Sequence, residues 1–328
     1  MALRITNSIM IDTFMRNLNR NTFKLEKLQS QLATNRKIVR LSDDPVGVIK
    51  TLNAKAKQSD IGQYQSNLRD ARAWLSQTES SLNEANTIVA RCYELAVHAA
   101  NDVLGTDERS SIANEVRQLR DQLITLGNSV LGDKYLFGSY NVSYPPFYGE
   151  AVDGEEAVIT LNGFDMLGEP DQEQLDSIKY EINVGEDFEI GFAGGAFMGM
   201  GEYDYQLPDG SVVTMSRNMY YQFHEFVNAL ISPESFNPDF LPFVDGMQVL
   251  QRQLLAQMAE VGGRYARVEL MESRYSQDYI NYTQMRSDVE DLDQAEGIMN
   301  FTMAESVYRA ALSVGGRILP PSLMDFLR

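Results

Sequence analysis

Two histidines, one cysteine and a scatter of carboxylates are the side chains here that chemistry would draw on. His224 opens the run His224-Glu225-Phe226-Val227-Asn228. Zinc peptidases use this helical spacing to set two imidazoles one turn apart, with a glutamate between them as general base. Asn228 stands where the second imidazole must be, so the pattern is one ligand short. His98 falls beside the apolar seam of a long helix and reads as a packed or interface side chain. Cys92 lies on that seam, where burial keeps a thiol protonated and unreactive. The glycine-rich stretch 194–201 has no Lys or Ser/Thr in phosphate-loop register. Asp43-Asp44 precede Pro45, where capping of a helix accounts for them. No constellation supports catalysis, a cofactor or a metal, and the expectation is a structural protein, not an enzyme.

The elements around these residues are long. From Ile11 a 3-4 spacing picks out Ile11, Phe14, Leu18, Asn21, Leu25, Leu28 and Leu32, with Asn21 as the single polar seam residue, a device that fixes register and partner number at some cost in stability. This helix is expected to end near Leu41-Ser42. The next, from Pro45 to about Asn101, carries a seam of Ile61, Tyr64, Leu68, Ala71, Leu75, Thr78, Leu82, Ala85, Val89, Cys92, Ala96 and Ala99. Unbroken, it would be roughly 85 Å long at about 1.5 Å per residue. Thr106 reads as the N-cap of a third helix with seam Ile112, Val116, Leu119, Leu123, Leu126 and Val130, which folds back on the second. After the middle of the chain, Met247, Leu250 and Leu254 begin a helix that runs through Val261, Tyr265, Val268, Tyr275, Tyr279 and Tyr282, with Gly262-Gly263 a weak point. A last stripe, Val289, Leu292, Met299, Met303, Val307, Ala310 and Val314, ends at Gly315-Gly316.

Charge divides the same chain. Residues 141–245 hold 20 acidic and two basic side chains, Lys179 and Arg217, and so carry the whole net charge of −18. They also hold seven of the ten prolines. Short alternating runs at 156–161, 180–184, 187–192 and 211–215 predict antiparallel β-structure, and Tyr220 to Ile231 predicts a helix. The flanks are neutral overall, but 1–40 is basic and 281–328 acidic, so the two ends complement each other. With pI near 4.5, duplex nucleic acid is excluded as a natural partner. No run approaches the roughly 18 apolar residues of a membrane span, and no cleaved signal is expected.

The prediction is a mainly α fold with an inserted β-rich domain, built on a long coiled-coil-like helical hairpin and terminal helices. Residues 1–40 with 286–328 form a terminal coiled-coil assembly segment, 41–140 with 246–285 a helical bundle, and 141–245 an acidic β-rich outer domain that is expected to be autonomous. The bundle segments can bury one another, whereas the ends have only each other and are expected to order against further copies of the chain.

Both ends resemble the flagellin superfamily of bacterial flagellar axial proteins. The residues carrying this are Arg4-Ile5-Thr6-Asn7, Lys27-Leu28-Gln29-Ser30-Gln31-Leu32-Ala33, Leu41-Ser42-Asp43-Asp44-Pro45, the stretch Arg91 to Asn101, Tyr135-Leu136-Phe137-Gly138-Ser139 with Pro146-Phe147, and Pro321 to Arg328. The match covers about 1–147 and 247–328. Asp43-Asp44-Pro45-Val46-Gly47, where flagellins typically read Asp-Asp-Ala-Ala-Gly, and the Tyr135-Leu136-Phe137-Gly138 stretch look like the branch that joins hook to filament, with filament flagellin as the alternative. The resemblance implies a flagellin-like fold polymerised into a ring or tube by its terminal helices. It implies partners too: the first hook-associated protein, flagellin, and a cytoplasmic export chaperone holding the C-terminal segment. The location implied is the extracellular flagellum, reached by type III export. The assembly residues expected are Ile11, Phe14, Leu18, Asn21, Leu25, Leu28, Leu32, Leu292, Met299, Met303, Val307, Leu323, Phe326 and Leu327.

Overall fold

The computed structural model describes residues 7–101, 104–139, 141–152, 155–166, 178–183, 185–206, 212–232 and 240–318. Contacts divide the chain into two compact units, Met1–Gly62 with Ser276–Arg328, and Gln63–Tyr275. The elements are α1 (Asn7–Thr34), α2 (Pro45–Asn101), α3 (Thr106–Gly127), β1 (Val130–Leu131), β2 (Lys134–Tyr135), β3 (Phe147–Glu150), β4 (Val158–Leu161), β5 (Phe164–Asp165), β6 (Lys179–Asn183), β7 (Glu186–Glu189), α4 (Gly194–Met198), β8 (Glu202–Gln206), β9 (Val212–Ser216), α5 (Met219–Ile231), α6 (Leu241–Glu290) and α7 (Gln294–Ile318).

In the second unit the heptad seam of α2 is the core. Leu68, Ala71, Leu75, Thr78, Leu82, Ala85, Val89, Cys92, Ala96 and Ala99 are all buried, and α3 meets them with Ile112, Val116 and Leu123. The α2–α3 pair is antiparallel, as Arg91 bonding Glu115 at 2.7 Å and Gln122 bonding Glu84 at 3.4 Å require. Helix α6 also runs antiparallel to α2, with Tyr64 and Tyr275 stacked at 5.7 Å and Gln248 donating to Tyr93 at 3.3 Å. Gly262 and Gly263 do not interrupt α6. Both face open space, so their cost is conformational entropy alone, which packing of the rest of the helix offsets.

The described residues between α3 and α6 form four small antiparallel sheets, β1-β2, β3-β4-β5, β6-β7 and β8-β9. The expected strands at 156–161, 180–184, 187–192 and 211–215 correspond to β4, β6, β7 and β9; β1, β2, β3, β5 and β8 are additional. Helix α5 begins at Asn218, whose carboxamide oxygen accepts the Tyr220 and Tyr221 N–H groups. It packs on α3 and buries Tyr220, Phe223, Phe226 and Val227. Further ties reach α6: Tyr275 donates to the Ile182 carbonyl at 2.5 Å, and Arg264 donates to the Gly191 carbonyl at 2.9 Å. Residues 141–245 thus belong to the same compact unit as α3 and most of α6 and are tied to both by these contacts.

Boundaries of α1 and α3 differ from expectation. Helix α1 stops at Thr34, not near Leu41. Asn35 takes the left-handed φ of 54°, Asn35 N–H donates to the Leu32 carbonyl and Arg36 N–H to the Gln31 carbonyl, which is a Schellman cap with asparagine in glycine's place. The cap of α3 is Gly105 rather than Thr106; its N–H donates to Glu108 Oε2 at 3.0 Å. Helix α3 ends at Gly127, before Val130, because the Asn128 side chain turns to the Phe147 backbone, accepting its N–H and donating to its carbonyl at 2.9 Å each.

Candidate assembly interface

The first unit is built on α1 and α7. Ile11, Phe14, Leu18, Asn21, Leu25, Leu28 and Leu32 are all half-buried along one face of α1, as a 3-4 spacing dictates. They lie against α7 of the same chain, which runs antiparallel: Leu32 meets Gly297 at one end and Phe14 meets Gly315 at the other. The α7 side of this seam is Gly297, Phe301, Ala304, Tyr308, Ala311 and Gly315, again a 3-4 spacing. Gly297, Ala304 and Gly315 are buried there.

The sequence stripe read on α7 is a different face. Met299, Met303, Val307 and Val314, joined by Ile298 and Leu312, are exposed, Met303 by 60%. The fully buried seam positions of α7 are thus small, Gly297, Ala304 and Gly315, while these bulkier apolar residues remain exposed. Helix α1 adds Met10, Met15 and Phe23, the last 71% exposed. Leu292 is half-buried next to Gly297. Gly315-Gly316 do not end α7, which continues to Ile318; at Gly315 the absent Cβ is what lets the Phe14 ring approach. Leu323, Phe326 and Leu327 lie outside the described residues.

A polar clasp closes the end of this pair. Residues 35–37 run beside 290–292, with Lys37 N–H donating to the Glu290 carbonyl at 2.8 Å and Leu292 N–H to that of Asn35 at 3.3 Å. The Glu290 carboxylate is 6% exposed and receives Arg36 at 3.1 Å, Lys55 at 3.1 Å and Arg286 at 3.9 Å. Complementary charge between the two ends is therefore realised at one carboxylate. Asp43 accepts Lys27 at 2.8 Å and the Arg40 N–H at 3.0 Å, which holds its carboxyl below the usual carboxylate range. Asp44 caps α2 as expected, accepting the Gly47 N–H at 3.0 Å. Beside the clasp, Ile38, Val39, Leu41, Val48 and Leu52 line a small apolar groove in which Leu41 and Leu52 remain exposed.

The residues with catalytic potential are placed otherwise. His224 is buried; its Nε2 lies 2.8 Å from the Glu155 carbonyl and its Nδ1 3.0 Å from the Arg120 guanidinium. As Arg120 can only donate, Nδ1 accepts and Nε2 carries the proton. Arg120 is itself buried over the Tyr220 ring. This is a satisfied internal network joining α3 to α5. Burial pushes the Cys92 thiol well up. Among the described residues no three His, Cys, Asp or Glu side chains come together as a metal site, and no helix is long and apolar enough to cross a membrane.

The paired terminal helices thus carry exposed apolar side chains on α1 and α7. Residues 5–141 match the family model of the bacterial flagellin N-terminal helical region. This helical region is what the chain shares with the flagellin family. It is 25% identical over 322 residues to flagellar hook-associated protein 3 of Escherichia coli strain K12, covering 94% of this chain and 95% of that one. Similarity to a flagellin from Clostridium tyrobutyricum is 30% over 125 residues, only 38% of this chain and 33% of the relative. The fold is shared with the flagellar junction protein FlgL from Legionella pneumophila, with a TM-score of 0.55, 12% identity, and cover of 75% of this chain and 100% of that one. The family is one of structural flagellar proteins.

Proposed function

We propose that this chain is the structural subunit of the hook–filament junction, polymerising through its terminal helices. The observation that carries the reading is the end-to-end similarity to hook-associated protein 3, over 94% of the chain, where similarity to flagellin is partial. The α1–α7 pair supports it physically. A two-helix element that hides its small residues and displays Met299, Met303 and Val307 has apolar surface to bury against neighbouring copies. In the assembly, 1–40 and 286–328 form the inner layer, 41–140 and 246–285 the bundle around it, and 141–245 the acidic exterior. The first hook-associated protein lies on the hook side and flagellin on the filament side. A cytoplasmic chaperone holds the C-terminal segment before type III export to the cell exterior. The chain acts as a connector, with no enzymatic step and no cofactor.

Electron microscopy of cells lacking the gene, with an assay of flagellin in the medium, tests this. Bare hooks and leaked monomeric flagellin are the expected result. Hooks that keep their junction proteins while no flagellin is made would replace this reading with the filament subunit itself. Within the reading, Met303→Asp leaves the free chain's fold intact and blocks incorporation, since Met303 is 60% exposed at the edge of the α1–α7 seam. Normal incorporation would remove the α7 outer face from the interface.

A further inference from the structure

A cleft in the second unit plays no part in the terminal-helix contacts. Ala196 of α4 and Met200 just after it form one wall; Arg217, just past β9, and Val249, Arg252 and Gln257 of α6 line the rest, enclosing about 540 Å³. Two features set it apart. Arg217 is one of only two basic residues in 141–245, and the fold places it in the same cleft as Arg252. Among the described residues neither guanidinium forms an ion pair; Arg252 Nε donates to the Gln248 carbonyl on its own helix at 3.3 Å. The second feature is Gln257, 9% exposed. Its carboxamide N–H donates to the Ala196 carbonyl, and its Oε1 is buried with no hydrogen-bond partner among the described residues. A buried acceptor without a donor is destabilising until one reaches it.

An occupant of this cleft brings a carboxylate for the two guanidiniums and an apolar stem against Met200 and Val249. Polypeptide carrying an Asp or Glu side chain has this chemistry. We propose that the cleft seats an acidic segment of a second copy of this chain. Charge complementarity selects that occupant. The net charge of −18 lies wholly in 141–245, so adjacent copies in a polymer present dense carboxylates to one another and repel. Two guanidiniums in a cleft on that surface turn the repulsion into a directed contact. The inference rests on the polymer-subunit reading above.

The test uses the full chain in cells lacking the gene, with Val249 replaced by a photo-crosslinking phenylalanine analogue and, as a second variant, Met200 replaced likewise. Flagella are purified, illuminated and mapped by mass spectrometry. The expected adduct joins position 249 or 200 to an Asp- or Glu-containing peptide within 141–245 of a second copy. Its yield falls about tenfold in Arg217→Gln/Arg252→Gln chains whose melting is unchanged. Adducts to another protein, adducts outside 141–245, or their absence from normally assembled flagella overturn the proposal. Failure of the unmodified chain to restore filaments is scored before illumination and strikes the polymer-subunit reading instead.

Discussion

The Phe14 ring lies so close to Gly315 that a Cβ there would stand 2.8 Å from its Cε1 and closer still to Cζ. Glycine costs conformational entropy within a helix, yet here it sets how near α1 and α7 can come. Gly315→Leu should force the pair apart, costing about 1–3 kcal/mol as overpacking does. The measurement is circular dichroism with an incorporation assay: helix content falls, assembly fails, and melting of the second unit does not change. Gly316→Ala, where nothing lies within 4 Å, is the control and is neutral or slightly stabilising.

Glu290 gathers three cations from α2, α6 and the link after α1. Glu290→Ala leaves Arg36 and Lys55 without their carboxylate and loosens the backbone pairing of 35–37 with 290–292. Because both cations are part-exposed, the loss should be about 1–3 kcal/mol rather than that of a fully buried pair. Hydrogen exchange at Lys37 and Leu292 reads it; unchanged protection there would show that the backbone pairing holds without the ion pairs.

Asn128 bonds both backbone groups of Phe147, a residue only 2% exposed. Asn128→Ala strands both groups in the interior, at about 1–3 kcal/mol. Thermal unfolding of the full chain should show it as a lowered midpoint, whereas an unchanged midpoint would mean that water replaces the side chain.

The clasp at Asp43 predicts a pH dependence. Lys27 and the Arg40 N–H lower the folded-state pKa, so the carboxylate's contribution is present above the unfolded value of about 3.9 and is lost as pH falls through the folded one. Exchange of the Val39 and Arg40 amides should accelerate below about pH 4, beyond the intrinsic trend. Asp43→Asn should abolish that step; a step surviving in this variant would assign it to another group.

Legibility followed residue size. The seam from Leu68 to Ala99 could be read from spacing, because Leu and Val at regular positions carry the signal. The buried face of α7 could not, since Gly297, Ala304, Ala311 and Gly315 act through the volume they do not occupy, while Met299, Met303 and Val307 dominate the pattern and remain exposed. The stop at Asn35 depends on pairing with 290–292, a partner distant in sequence. Strand β8, Glu202–Gln206, is hidden because its alternation is of acidic and aromatic residues rather than aliphatic ones. In the cleft, Arg217 and Arg252 are separated by a helix, so only the fold makes them neighbours. Around His224, the neighbour Asn228 is one helical turn away in sequence, whereas Arg120 and Glu155, which also meet its ring, have no local signal.

Cys92 is the chain's one thiol, fully enclosed in the α2 seam. A thiol so placed can be alkylated only during moments when the second unit opens, so its labelling rate is a clock for those openings. The molecule thus carries its own stopwatch, wound by a single sulfur atom and read without any added probe.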